Sequence, residues 1–62
     1  METSIGTLRP GHRFMTHPTG NTYVVLRRLP SAVRYQLTDD NGAVPGMVYL
    51  TEHVGQIVRV LP

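Results

Sequence analysis

The sequence predicts an all-β fold, a small barrel of about five short strands. Turn residues punctuate the chain at intervals of roughly 8 to 12 residues, as in all-β domains, for example at Pro10-Gly11, Pro30-Ser31 and Asn41-Gly42. Residues 33–38 alternate apolar and polar side chains without a fault, which is the period of a half-buried strand. A chain of 62 residues has room for one domain. We assign it to residues 8–62, with residues 1–7 as a flexible N-terminal lead-in.

The first two predicted strands form a hairpin. The first spans residues 12–17 around Phe14 and ends in a turn at residues 18–21, where Pro, Gly and Asn favour turn dihedral angles. The second spans residues 23–29 and is rich in β-branched and aromatic residues, which suit a pleated, half-buried surface. Phe14 is therefore predicted to point into the core.

A third strand and a second hairpin follow. The alternating segment places Val33, Tyr35 and Leu37 on its inner face. Asn41-Gly42 favours positive φ at both central turn positions, which predicts a hairpin. The connection is longer than a tight two-residue turn, so we place the fourth strand at residues 47–50.

The end of the chain predicts a turn and a fifth strand. Residues 51–55 begin with Thr and end with Gly, and they are too few for an α-helix, so we predict one 3₁₀ turn there. The last strand spans residues 56–61. Val58 and Val60 share its inner face, and Arg59 points outwards.

Both ends of this strand order resemble a known group of small barrels. Leu8-Arg9-Pro10-Gly11-His12-Arg13-Phe14 looks like the Pro-Gly-Asp-x-Val opening of KOW-type barrels, with His12 where Asp is usual. Residues 47–50, 51–55 and 56–60 look like the closing strand, 3₁₀ turn and strand. The resemblance implies a five-stranded SH3-like barrel. No binding residues are carried over, because the chain lacks Trp and an acidic cluster after the first strand.

Composition limits the setting in which the protein works. The sequence has no cysteine, which excludes disulfides and thiolate metal sites and fits a reducing cytoplasm. Met1-Glu2-Thr3-Ser4 shows no basic region followed by an apolar run, so we predict a cytoplasmic protein without a signal peptide or membrane segment. The net charge is only +2, which is weak for a strong nucleic-acid binder.

The polar residues do not form a catalytic or metal-binding pattern. His12, His17 and His53 could ligate a metal, but His12 and His17 would lie on opposite faces of the first strand. The four acidic residues are not spaced as a general acid and base, and the chain has no nucleophile elbow or phosphate loop. We therefore predict no metal, no cofactor and no enzymatic activity.

One small-barrel enzyme family is kept as a second alternative. The type II dihydrofolate reductase is similar in length and strand order, and acts as an oligomer. Its Val-Gln-Ile-Tyr segment should fall near the fourth strand, where this chain has Met47-Val48-Tyr49-Leu50. Because this chain has a different segment at that place, its sequence argues against that enzyme.

Apolar residues exceed what so small a core can hold. The second strand is apolar on both faces through Val24, Val25 and Leu26, and a strand of this kind is often covered by another chain. We therefore predict an interaction module that binds a protein partner or itself, typical of accessory proteins of phages, plasmids or bacteria. The predicted interface residues are Met15, Tyr23, Val24, Leu26, Met47 and Tyr49.

The first alternative is a barrel that binds nucleic acid. All six basic residues are arginine, whose forked guanidinium suits phosphate. Several should point outwards from the strands and could follow a phosphate backbone. The residues of this alternative site are Arg13, Arg27, Arg28, Arg34 and Arg59.

Overall fold

The computed structural model describes residues 1–16 and 20–62. These residues contain no α-helix and form one antiparallel sheet, which confirms the all-β class. The sheet is open, with the order β1-β6-β2-β3-β4-β5, so β1 and β5 are its edges. The six strands are β1 (Glu2–Ser4), β2 (Arg13–Met15), β3 (Thr22–Leu29), β4 (Ala32–Asp39), β5 (Gly42–Thr51) and β6 (Ile57–Leu61).

The strand that sequence reasoning missed lies in the predicted lead-in. Residues of β1 pair with β6, with Thr3 opposite Val58, and a 3₁₀ helix at Ile5–Thr7 follows. Ile5 is buried in the core, and its N–H donates to the Gln56 carbonyl at 2.8 Å. The sheet therefore has six strands among the described residues, not the five predicted. A strand of three residues is too short to show a period in the sequence.

Residues 51–55, where one 3₁₀ turn was predicted, form a hydrogen-bonded turn but no 3₁₀ helix. The Gln56 N–H donates to the His53 carbonyl at 3.0 Å, so the chain reverses in a β-turn. The Thr51 hydroxyl oxygen accepts from the His53 N–H at 3.1 Å. The predicted Thr cap is thus real, but it caps a turn instead of starting a helix.

Two strands differ in length from the prediction. The first, placed at residues 12–17, is only Arg13–Met15, while His17 and the turn residues 18 and 19 lie outside the described residues. The fourth, placed at residues 47–50, extends to Gly42–Thr51. Its register shifts strongly, from Val48 opposite Gln36 to Ala43 opposite Thr38.

The core lies on one face of the bent sheet, here called the inner face. Phe14, Val33 and Val58 are fully buried there, as predicted, and Ile5 and Val25 join them. Partly buried side chains pack against this core, and they include the predicted inward residues Tyr35 and Val60 together with Tyr23 and Val54. The opposite, outer face carries the residues that alternate with these.

A β-bulge in β3 decides which of two adjacent arginines faces outwards. The register shifts between Val25 and Arg27, so Leu26 is the extra residue. After the bulge Arg27 lies opposite Arg34, on the outer face, and Arg28 lies opposite the buried Val33, on the inner face. A regular strand would have reversed the two arginines.

Candidate protein-docking edge

Strand β5 forms one edge of the sheet. It pairs with β4 on one side, with Tyr49 opposite Tyr35 and Leu50 opposite Arg34. On its other side no strand of the described residues pairs with it. Every second residue of such an edge directs its backbone N–H and C=O away from the sheet, where they can template a further strand.

The second half of β5 is apolar and exposed. Met47, Val48, Tyr49 and Leu50 are 39%, 45%, 38% and 52% exposed, and we call residues 47–50 the apolar edge run. Val48 and Leu50 lie on the outer face, opposite Gln36 and Arg34, whereas Tyr49 lies on the inner face. A strand added here would therefore cover apolar side chains on both faces.

The second half of this edge lacks charge and proline, two features by which sheet edges usually avoid association. The whole strand Gly42–Thr51 carries no charged residue, although Lys and other charges are common protections of edge strands. Its one proline, Pro45, lies in the irregular first half, before the apolar edge run. Residues 47–51 keep all their backbone donors and so can accept a complete ladder.

An aromatic cluster connects the edge to the core. Tyr49 stacks on Tyr35 at 5.6 Å between ring centroids, and Tyr35 meets Tyr23 edge to face at 5.1 Å. Phe14 then stacks on Tyr23 at 5.5 Å. Such pairs are worth about 0.5–1.5 kcal/mol each beyond the area they bury. The partly exposed ring of Tyr49 is therefore fixed by its packing on Tyr35.

The middle ring of this cluster has a shifted ionisation. Burial raises the pKa of the Tyr35 phenol above its ordinary value of 10.0, and the neighbouring phenols of Tyr23 and Tyr49 add to the rise. The protonated phenol is the form that suits both burial and close packing. Tyr35 therefore packs in the cluster as the neutral phenol.

The structure brings together only part of the predicted interface. Met47 and Tyr49 lie on the β5 edge, and Tyr23 meets Tyr49 at 6.1 Å between ring centroids. Met15 and Val24 are half-buried on the outer face. Leu26 is exposed at the bulge in β3.

Val48 and Leu50 were missed by sequence reasoning. Both are exposed on the outer face of the edge strand. The signal that could have found them is the uninterrupted apolar run of four residues at 47–50. An exposed run of that kind is unusual in a strand unless it is functional.

The predicted nucleic-acid site is divided between the two faces. Arg13, Arg34 and Arg59 point outwards as predicted, and Arg27 joins them. Arg27 and Arg34 are directly opposite each other, an arrangement of like charges that destabilises a sheet unless an anion offsets it.

Arg28 is separated from these arginines by its hydrogen bonds. Its Nε donates to the Gly6 carbonyl at 2.7 Å, and its guanidinium also donates to the carbonyls of Ala32, at 3.1 Å, and Leu29. These bonds tie the 3₁₀ helix to the β3–β4 turn. Arg28 is therefore a structural residue and does not belong to an outward basic surface.

A cleft of about 600 Å³ lies on the outer face beside Arg13. Its other lining residues include Val24, Thr38, Asp39 and Asp40. Two carboxyl groups near Arg13 reduce the positive potential at this end of the face. Arg27 and Arg34 do not line this cleft.

The remaining features of the described residues concern metal binding and membrane insertion. Residues 1–16 and 20–62 contain no group of three His, Cys, Asp or Glu side chains placed to hold a metal ion, and His17 lies outside them. The Nδ1 of His12 accepts from the Arg9 N–H at 3.0 Å, which makes it part of a turn. No helix formed by the described residues is long and apolar enough to cross a membrane.

Comparison with known proteins gives no relative, because no protein-family model, no curated protein and no solved structure matches the chain.

Proposed function

We propose that the protein is a non-catalytic interaction module that docks a protein partner, another protein or a copy of itself, on the β5 edge. The observation that carries this proposal is the uncharged, exposed apolar edge run on a strand with one free side. Strand addition at such an edge gives affinity through backbone hydrogen bonds and specificity through alternate side chains. The proposed place of action is the cytoplasm.

We also propose that the domain is an SH3-like small barrel whose sheet stays open at the β5 edge. This proposal is supported by the order of strands β2 to β6 and by the short turn before the last one. The added β1 strand continues the sheet beyond β6. In this arrangement the apolar edge run lies on the side of the sheet opposite to β1.

The docking proposal is tested with a charge on the edge. Leu50 is 52% exposed on the unpaired edge, and Ile57 is 56% exposed on β6, which is paired on both sides. We expect the immobilised Leu50→Lys variant to lose protein partners that the wild type retains, because Lys cannot be desolvated in an apolar ladder. Ile57→Lys, the matched control, should retain them. Equal retention by both variants, each checked for folding by circular dichroism, would contradict the docking proposal.

A second candidate function is contact with a nucleic-acid backbone. The observation that favours it is the Arg27–Arg34 pair, whose repulsion a phosphate group between the two guanidinium groups would offset. Each phosphate bound by a guanidinium releases condensed counterions, so binding should weaken steeply with salt.

Fluorescence anisotropy with a DNA and an RNA oligonucleotide tests this second function. Substituting Arg27 or Arg34 by Gln should reduce the slope of log K against log salt by about one for each guanidinium that no longer binds a phosphate. Arg9→Gln, a change on an exposed loop residue, is the control. Binding that does not depend on salt would exclude the function.

A further inference from the structure

We propose that the occupant of the β5 edge is a second copy of this chain, paired antiparallel across a two-fold axis that passes beside Tyr49. This inference rests on the proposed docking function and names its partner. The resulting dimer would be a continuous sheet in which β5 of one copy lies beside β5 of the other.

The first argument is that the two edges of the sheet are unlike. β1 is only Glu2–Ser4, short and polar, which are the features of a protected edge. β5 has ten residues and is uncharged. Each copy therefore has one edge suited to pairing, and pairing two such edges closes the assembly as a dimer instead of a fibre.

The second argument concerns charge. In a two-fold pair every residue of the strand faces a residue of the same strand, so a charged strand would bring like charges near each other across the axis. β5 avoids this because it has no charged residue. Behind the strand, Arg34 lies next to Leu50, and Gln36 lies next to Val48. If Leu50 pairs with Val48 of the second copy, the row across the four strands runs from Arg34 of one copy to Gln36 of the other. Each Arg34 then shares its row with a neutral residue.

The third argument fixes the register. Directly opposite residues of an antiparallel pair lie on the same face of the sheet. The two-fold axis is perpendicular to the sheet and keeps each residue on its own face. It must therefore pass between a residue and the same residue of the second copy. An axis at Val48 would place Pro45 opposite Thr51, inside the ladder, where Pro has no N–H to donate. An axis at Leu50 would place Glu52 opposite Val48.

An axis at Tyr49 avoids both conflicts. It pairs Val48 with Leu50 of the second copy on the outer face, and Met47 with Thr51. On the inner face it brings the two Tyr49 rings together, so that the aromatic clusters, each stacked through Tyr35, become continuous. The exposed side chains of the apolar edge run are thus covered by side chains of the same strand in the second copy.

Sedimentation equilibrium across the micromolar range tests this pairing with reciprocal charges. We expect the wild type to dimerise, and Val48→Lys and Leu50→Glu each to weaken dimerisation at least about tenfold, since each places two unpaired charges in the interface. The double variant V48K/L50E should recover most of the loss, because the introduced lysine of each copy then faces the introduced glutamate of the other. Ile57→Lys should dimerise like the wild type.

A disulfide gives a second measurement that does not depend on charge. The chain has no cysteine of its own, and only a residue beside the axis lies opposite its own copy. Tyr49→Cys should therefore form a covalent dimer under mild oxidation, since directly opposite Cβ atoms come within about 4.5–5.5 Å. Ile57→Cys, which lies away from the axis, should form no covalent dimer under the same conditions.

Several outcomes would overturn the dimer. They are a wild type that stays monomeric throughout, a double variant no better than the worse single variant, or equal cross-linking of Tyr49→Cys and Ile57→Cys. A monomeric wild type whose partner retention is still lost in Leu50→Lys would overturn the second copy as the occupant and leave the docking edge intact. A monomeric wild type whose retention is unaffected by Leu50→Lys would overturn both.

Discussion

Gly6 lies where the 3₁₀ helix meets the β5–β6 turn, and it has no room for a side chain. A Cβ atom there would lie 2.8 Å from the Val54 carbonyl oxygen and 3.0 Å from the Val54 Cβ. The Gly6 N–H also donates to that carbonyl at 2.8 Å, so the backbone cannot move away without losing the bond. The N-terminal segment is thus fitted closely to the end of the sheet.

We predict that Gly6→Ala lowers the free energy of unfolding by about 1–3 kcal/mol, the usual cost of overpacking. Urea denaturation followed by circular dichroism measures it. Gly55→Ala is the matched control, because a Cβ atom at Gly55 would meet nothing within 4 Å. Equal stability of the two variants would show that the N-terminal segment does not pack as described.

Arg28 and Arg27 are neighbours in sequence with opposite roles. Arg28 donates to backbone carbonyls on the inner face, whereas Arg27 faces Arg34 on the outer face. We predict that Arg28→Ala lowers the free energy of unfolding by roughly 1–2 kcal/mol, because these hydrogen bonds are removed. Arg27→Ala should leave it unchanged or raise it slightly, because a like-charge pair is removed. A larger loss in Arg27→Ala would reverse the face assignment made from the bulge.

The aromatic cluster makes the strands β2 to β5 sensitive to alkaline pH. Because the folded-state pKa of Tyr35 is raised above 10.0, the folded protein holds this proton more tightly than the unfolded chain. Its contribution to stability is therefore complete below pH of about 10 and decreases as the pH rises through the folded-state pKa.

Denaturation of the wild type and Tyr35→Phe across alkaline pH tests this coupling. The free energy of unfolding should fall more steeply with pH in the wild type, because Phe has no proton to lose. Tyr23 and Tyr49 remain in both proteins and so serve as an internal control. Identical slopes would contradict a raised pKa at Tyr35.

The elements with a clear period were predictable from the sequence. β4 was found because its apolar and polar residues alternate, and Val33 is indeed fully buried. β3 was placed to within a residue, at Thr22–Leu29, because β-branched and aromatic residues dominate it. In these strands the local pattern and the tertiary environment agree.

The remaining features depend on pairing between distant residues. β1 has three residues and exists because β6 pairs with it, and the bulge at Leu26 follows from the register between β3 and β4. Val48 and Leu50 are exposed because β5 is an edge strand, and its position at the edge is a property of the sheet order. A single sequence contains the apolar run but not the place of its strand in the sheet.

At the scale of the whole molecule, the sheet of the described residues has one protected and one unprotected edge. The short, polar β1 edge offers little for another strand, while the β5 edge offers free backbone groups between exposed apolar side chains. In a chain of 62 residues the core is small, so covering this edge would add to the stability of the fold as well as form an interface. Stability should therefore increase with protein concentration.

Amide hydrogen exchange measured by NMR at low and high protein concentration tests the docking edge most directly. Pairing of β5 with a second copy predicts that every second amide within residues 47–51 becomes more protected at high concentration, because alternate N–H groups point away from β4. Amides of the β1 edge should exchange at the same rate at both concentrations. Protection of residues 47–51 that does not change with concentration would contradict the pairing of this edge.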